Sequence, residues 1–310
     1  MTRQTELQAW NNLTIPQKKG FMAIKENAIV KDGKVYNEHG EDMSHRAEIA
    51  VKTTEKQRRG KQVTDELKEH EAENGGFVFA LFETCTTMAG RFPSLTQADL
   101  ARLMFVGTYT GWRSGRLEYD NGRVIDRKGL EKLIGISRPK FSTFFKKLIT
   151  EQIVQEVGKE IIVNPSVFYR GSLKEAKLDK LDEYRHTRLF RKTVRDLYEL
   201  HQGKKTAQLA VIYAVLPFLN FNTNIACFNP QENNGDELRP MSLENVAAAL
   251  GYQDTHKLKV ALEAAKVDGK PVFWLPPNVN DKRQRRIIAN PRVVYAGNAE
   301  SLKAVKAMFN

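Results

Sequence analysis

Cysteine is nearly absent. Cys85 and Cys227 are the only two in 310 residues, and no Cys-x-x-Cys pair occurs. Disulfide scaffolding and zinc ribbons are therefore excluded, and buried, reduced thiols are expected. Long apolar runs are also missing. The longest, Leu209 to Leu219, is broken by Pro217 and falls well short of the roughly 20 residues a membrane-spanning helix needs. The opening segment MTRQTELQAWNNL has no apolar core of a secretory signal, so a cytoplasmic location is expected. There is no Gly-x4-Gly-Lys-Ser/Thr phosphate loop, which argues against an ATP-driven motor. His39, His45, His70, His186, His201 and His256 are scattered without metal-ligand spacing, and none forms a His-hydrophobic-His pair near a tyrosine. Tyr184, His186 and Arg188 are neighbours in a charged stretch, where packing or solvation fits better than catalysis. The expectation is a non-enzyme with no catalytic residues, no metal and no cofactor.

What is present is core-forming material and positive charge. Hydrophobic residues make up 41% and aromatics 9%, enough to bury real cores. Forty-nine Lys and Arg against 37 Asp and Glu leave a net charge of +12. A chain this basic is expected to meet a polyanion, nucleic acid first and an anionic membrane surface second. The excess is not spread evenly. Residues 1–76 hold 13 basic and 13 acidic side chains, 77–171 hold 14 and 9, 172–203 hold 8 and 6, and 204–310 hold 14 and 9. The net charge thus belongs to later folded blocks and not to a basic tail.

Local signals divide the chain. Ala28 to Tyr36 around Asp32-Gly33 predicts a small hairpin. Residues 46–72 predict a charged helix with a solvated face, broken by Asn74-Gly75-Gly76. Phe77 to Met88 reads as a mostly buried helix, with Cys85 in its core, and Ser94-Leu95-Thr96-Gln97 starts another bearing Leu100, Leu103 and Met104. Tyr119 to Ile125 carries a second hairpin signal. Asp126 caps a helix from Arg127 to Ile134 that ends at Gly135. Ser137 then caps a helix with Pro139 in its first turn and Phe141, Phe144, Phe145 and Leu148 on one face. Two alternating strands, Ile153–Val157 and Glu160–Val163, close the block. Helix, glycine turn, helix and hairpin are the order of a helix-turn-helix plus wing.

The same order returns after residue 204. Ala207–Leu219 gives an apolar helix, Ile225–Phe228 a strand, Leu243–Leu250 a helix capped by Ser242 and ended by Gly251, and His256–Lys266 a second helix. Val272–Leu275 and Arg286–Ala289 give paired strands. Asp126 to Gly135 recurs 116 residues later as Ser242 to Gly251. NPSVFYRG at 164–171 recurs 126 residues later as NPRVVYAG at 290–297, with five of eight positions identical. The chain is read as an internal duplication, and the Asn-Pro phrase as a structural terminator of each hairpin. Between the copies, 172–203 predicts a helical connector with Leu178, Leu181, Leu189, Val194 and Leu197 in a stripe. Its roles are packing between the copies, setting their spacing, or a dimer seam.

The segment LIGISRPKFSTFFKKLITEQIVQEVGKEIIVNPSVFYRG (133–171) resembles the winged-helix region of RepL-type replication proteins of Gram-positive plasmids and prophages, which typically end the wing in a similar Asn-Pro phrase. Two such units in one chain are also similar in architecture to iteron-binding plasmid initiators. The resemblance implies origin binding in a phage or plasmid, with transcriptional regulation of such an element and protein–protein adaptation as the other readings.

The expected fold is α+β, mainly α: tandem winged helix-turn-helix domains joined by a helical connector, with a charged N-terminal extension. The expected boundaries are 1–76 for the extension, 77–171 and 204–298 for the two domains, 172–203 for the connector, and 299–310 for a C-terminal helix or tail. A DNA-reading helix needs donors on the face opposite its buried stripe. In the first unit these are Arg138, Lys140, Ser142, Thr143, Lys146 and Lys147, with Lys159 in the wing. In the second they are His256, Lys257 and Lys259, with Lys282, Arg283, Arg285 and Arg286 in a longer wing. DNA contact and protein docking are equal alternatives for this second unit, which would meet the duplex about one helical turn away. Expected partners are double-stranded DNA, a second copy of the chain, and host replication or transcription proteins, with no membrane.

Overall fold

The computed structural model describes residues 10–46, 55–83, 87–172, 184–201, 206–275 and 286–309. It divides into two compact units, Met1–Gly60 and Lys61–Asn310. In the first, helix α1 (Ile15–Asn27) starts at Thr14, whose backbone N–H donates to the Gln17 side chain at 2.9 Å. Strands β1 (Ile29–Lys31) and β2 (Lys34–Tyr36) form the expected hairpin, with Asp32 and Gly33 at φ of 49° and 75° in its turn. Helix α2 (Glu55–Glu73) is the charged helix; residues 47–54 of the expected span lie outside the described residues.

Asn74-Gly75-Gly76 ends α2 as its composition implies. Gly75 has φ of 74°, and a Cβ there would lie 2.6 Å from the Lys192 Cβ, so both conformation and space demand glycine. The next segment departs from expectation. Phe77–Glu83 is not a helix but a strand, β3. Its inner residues, Val78 and Ala80 to Phe82, are buried, so the alternation that marks a half-exposed strand is erased. Residues 84–86, including Cys85, lie outside the described residues. Short α3 (Met88–Arg91) precedes α4 (Gln97–Gly107), whose N-cap is Thr96, accepting from the Asp99 N–H at 3.2 Å.

Helix α5 (Arg127–Ile134) begins where the Asp126 carboxylate accepts from the Gly129 N–H at 2.7 Å, and it ends at Gly135 with φ of 69°. Helix α6 (Arg138–Thr150) buries Phe141, Phe144, Phe145 and Leu148. Ser137 holds the N-cap position, although its hydroxyl makes no capping bond. Strands β4 (Val154–Val157) and β5 (Glu160–Val163) pair antiparallel, and β6 (Phe168–Tyr169) follows the Asn-Pro phrase.

The expected helical connector is partly a strand. Residues 173–183, with Leu178 and Leu181, lie outside the described residues, but Tyr184–Phe190 is β7 and only Arg191–Leu200 is helix (α7). Arg185, His186 and Arg188 disguised β7, because charged residues in a central strand are uncommon. Beyond it run α8 (Ala210–Val215), flanked by 3-10 turns, α9 (Leu243–Ala249) and α10 (Thr255–Ala264). Then come hairpin β8 (Lys266–Val267) and β9 (Lys270–Pro271), and β10 (Phe273–Trp274) paired with β11 (Ile288–Ala289). Strand β12 (Val294–Tyr295) and helix α11 (Ala299–Ala307) close the chain. The result is a mixed α+β fold with small antiparallel sheets.

The duplication extends to individual backbone bonds. Gly111 N–H donates to the Arg116 carbonyl at 2.7 Å and Asn220 to Ile225 at 2.8 Å. Leu117 donates to Ile161 and Ala226 to Ile287, Ile125 to Leu117 and Met241 to Ala226, and Leu81 to Val167 and Phe190 to Val293. Asn164 and Asn290 play one role: each side-chain amide donates at 3.0 Å to a hairpin carbonyl, Gln152 or Pro271, while the side-chain oxygen accepts the N–H two residues on. The Asn-Pro phrase is thus a structural clasp.

The copies share one sheet in the order β12-β7-β3-β6. β3 and β7 run antiparallel from Phe77↔Phe190 to Glu83↔Tyr184. Phe79 pairs with Tyr169 on its outer side just as Arg188 pairs with Tyr295, and Phe79 pairs with Arg188 itself. Equivalent residues therefore meet at the sheet centre, and a local two-fold axis runs through that pair. Val78, Ala80, Leu189 and Val294 join one hydrophobic cluster with the helices of both copies. Two arginines of α7 bind the copies further. Arg191 Nε donates to the Thr108 carbonyl at 2.7 Å and Arg195 Nη2 to the same oxygen at 2.8 Å, while both guanidiniums hold Asp120. Burial, with Arg170 and Arg195 nearby, pulls the Arg191 pKa down to about 10, which leaves it charged at neutral pH. In place of two domains on a connector, the copies form a single body around a shared sheet.

The other face of the sheet, bearing Phe77, Phe190 and Tyr295, receives α2 through Leu67. His70 is buried, and its Nε2 donates to the Pro291 carbonyl at 2.9 Å, with the ring edge-on to Phe190. Two predictions follow from this packing. Calorimetry should give a single cooperative transition for residues 61–310, and Leu189→Ala, at a fully buried position, should cost about 2–5 kcal/mol; separate melting of the copies would contradict this. Burial also lowers the His70 pKa, opposed by the Pro291 hydrogen bond and by Glu73 and reinforced by Lys306 and Arg292. The neutral ring is the native one, so its contribution is whole above the unfolded value of about 6.5 and is lost as pH falls below it. The melting temperature should drop between pH 7 and 5, and His70→Gln should flatten that slope.

Candidate nucleic-acid interface

Helix α6 presents two chemistries because its period sorts them. With its four apolar residues buried, Arg138, Lys140, Ser142, Thr143 and Lys146 are all exposed. Lys159 is exposed at the tip of the β4–β5 hairpin, beside Gly158 at φ of 62°. An open cleft of about 690 Å³ lies between the N-termini of α5 and α6 and this hairpin, lined by Arg138, Ser142 and Lys159. The cleft thus unites three of the residues predicted from sequence.

It also takes in Arg127 and Lys128, which sequence reasoning passed over. Their signal was the Asp126 cap, which fixes the first turn of α5 against the hairpin. Arg127 lies 4.0 Å from Glu156 and its guanidinium sits 4.8 Å from the Phe145 ring centroid, so it is partly engaged; Lys128 is exposed. Three carboxylates also line it: Asp126, which caps α5, Glu156, which lies 4.0 Å from Arg127, and Glu131.

Two predicted contacts look different in place. Thr143 donates its hydroxyl to the Pro139 carbonyl at 3.1 Å and keeps only its acceptor capacity. Lys147 does not belong to the outward set. Its Nζ donates to Asp99 Oδ2 at 2.6 Å, and Arg102 holds the other carboxylate oxygen at 2.7 Å. Asp99 is buried on α4, so this lysine is spent on seating α6. Burial alone would raise the Asp99 pKa, but the Lys147 and Thr96 hydrogen bonds outweigh it and hold the carboxyl below its ordinary value.

The second copy repeats the frame with fewer cations. Leu258, Ala261, Leu262 and Ala265 are buried in the places of Phe141, Phe144, Phe145 and Leu148. His256, Lys257 and Lys259 are exposed, with the His256 backbone N–H given to the Asp254 cap at 2.8 Å and Lys259 at 3.8 Å from Glu263. Arg286 is exposed; Lys282, Arg283 and Arg285 lie outside the described residues.

No family model matches this chain, and no curated protein or solved structure matches it.

Arg188 lies 3.1 Å from Glu71 and donates to the Ala296 and Gly297 carbonyls, as a packed residue of β7. Cys227 is a buried thiol that donates to the Phe218 carbonyl at 3.6 Å. Among the described residues no cluster of His, Cys, Asp and Glu is arranged to hold a metal ion, and no helix is long and apolar enough to cross a membrane.

The two neighbouring lysines should separate cleanly. Lys147→Ala should lower stability by roughly 1–3 kcal/mol, whereas Lys146→Ala should leave the melting temperature within about a degree. Asp99→Asn should remove a contribution that is whole above the unfolded carboxyl pKa of about 3.9 and lost as pH falls through the depressed native value. Urea melts between pH 6 and 3 measure it.

Proposed function

We propose that this protein binds double-stranded DNA as a tandem winged-helix protein, with α6 as the recognition helix of the first unit and the β4–β5 hairpin as its wing. The observation that carries this reading is the convergence of exposed Arg138, Ser142 and Lys159 with Lys128 on one open cleft, beside Lys140 and Lys146 on the same helix. A helix entering the major groove needs an anchored apolar side and a hydrogen-bonding, cationic side near its N-terminus. Arg138 and Lys140 serve base edges or phosphate, since a guanidinium or ammonium pairs with guanine O6 and N7. Lys128, Lys146 and Lys159 serve the phosphate backbone, which fixes register without reading sequence.

The biological role we propose is origin recognition during replication of a phage or plasmid. Its support is the resemblance of residues 133–171 to RepL-type replication proteins. A regulator of transcription would use the same surface, and a transformation assay separates the two, because only an initiator lets an origin-bearing plasmid replicate.

Binding to a genomic duplex library should weaken about a thousand-fold or more between 50 and 200 mM salt, as expected for six to ten neutralised phosphates. Arg138→Ala with Lys140→Ala should abolish specific footprints while leaving the melting temperature unchanged, both side chains being exposed. Salt-independent binding, or footprints that survive the double substitution, would remove α6 from this role.

A further inference from the structure

The sheet that joins the copies dictates how their outward surfaces relate. In an antiparallel pair, directly opposed residues are exchanged by a two-fold axis perpendicular to the sheet. Here the opposed residues Phe79 and Arg188 are also equivalent in the duplication, and their outer partners Tyr169 and Tyr295 are equivalent as well. Val78 and Ala80 face the same core as Leu189, so the helices of both copies lie on one side of the sheet. The copies are therefore related by rotation and not by translation along the chain. The relation extends to the helices, because α6 and α10 bury matching residues and the backbone bonds around them repeat. It is held rigid where Arg191 and Arg195 grip Thr108 and Asp120.

Resting on the DNA-binding reading above, we infer that one chain reads one duplex site built as an imperfect inverted repeat, with the first copy reading the dominant half. A duplex has two-fold axes of its own perpendicular to its length, and a two-fold protein engages it equivalently only when the axes coincide. The half-sites must then run in opposite directions; copies related by translation would instead need direct repeats. The halves are unequal because the surfaces are. Where α6 offers Arg138, Lys140, Ser142, Thr143 and Lys146, α10 offers Thr255, Lys257, Lys259, Val260 and Glu263. The second helix has no guanidinium for a bidentate guanine contact. Val260 is 43% exposed and suits only an apolar contact such as a thymine methyl, and Glu263 draws on Lys259. The second half should be shorter and less strictly specified.

The test is selection by the full chain from a duplex library with a randomised core of about 30 base pairs, enough for two half-sites a helical turn or more apart, with the mass of the complex measured on an enriched duplex. The expected result is two oppositely oriented half-sites, one sharp and one diffuse, bound by a single chain. Arg138→Ala with Lys140→Ala should flatten the sharp half, and Lys257→Ala with Lys259→Ala the diffuse one. Reversing the diffuse half at constant spacing should weaken binding about tenfold or more, as loss of one or two base-pair contacts does. Direct repeats, or a lone half-site indifferent to the Lys257 and Lys259 substitutions, would overturn the inference while DNA binding itself stood. No enrichment together with salt-insensitive binding would overturn both.

Discussion

The antiparallel pairing of β3 with β7 is the constraint on which the rest of this fold depends. Seven residue pairs, Phe77↔Phe190 to Glu83↔Tyr184, place the start of one copy beside the start of the other. Everything downstream is hung from these strands. Each Asn-Pro clasp returns its copy to the outer edge of the same sheet, so the chain leaves and rejoins a common floor twice. Leu189, fully buried, touches a core that belongs to neither copy alone. Burial of this kind is roughly proportional to apolar area removed from water and has no directionality. The backbone register and the Arg191–Arg195 grip supply the directionality that apolar contact lacks.

Charge in this protein divides by depth. Arginines that are largely buried, such as Arg191 and Arg195, are engaged by carbonyls and by Asp120, as buried cations must be. Lys147 follows the same rule through Asp99, although its neighbours on α6 point to solvent. The second copy supports this division. Gln208 stands in the place of Asp99 and Ala264 in the place of Lys147, so both ends of the ion pair are gone together and no charge is left stranded. Cations paired at depth in this way are not offered to a polyanion.

Much of this was legible in the sequence, and the failures have physical causes. Caps, glycines and 3.6-residue stripes placed α4, α5, α6, α9 and α10 within a few residues, because those signals act locally. The repeat was legible because a clasp needs Asn and Pro at fixed positions. Both central strands were misread for one reason seen from two sides. β3 is buried on both faces and lost its alternation, whereas β7 carries charged residues whose partners, Glu71 and the carbonyls of 296 and 297, come from distant parts of the chain. Non-local pairing leaves no local trace. The misreading of β7 carried the misreading of the whole architecture, since a helical connector implies two domains and a shared strand implies one. On the candidate interface, helical spacing sufficed for Arg138, Lys140, Ser142 and Lys146. It could not exclude Lys147, whose fate was decided by a residue 48 positions away, nor include Lys128, which the hairpin brings into the cleft.

Covalent duplication has a consequence that the Gln208 and Ala264 replacement makes concrete. In a two-fold assembly of separate chains, each substitution arrives twice, so a change tolerable in one half must be tolerable in both. Joined in one chain, the halves mutate independently around an interface whose formation does not weaken on dilution. One half can keep its pinned helix and dense cationic face while the other loses the pin and changes its surface residues. Symmetry of the scaffold and asymmetry of its surfaces then coexist, each free to change without the other.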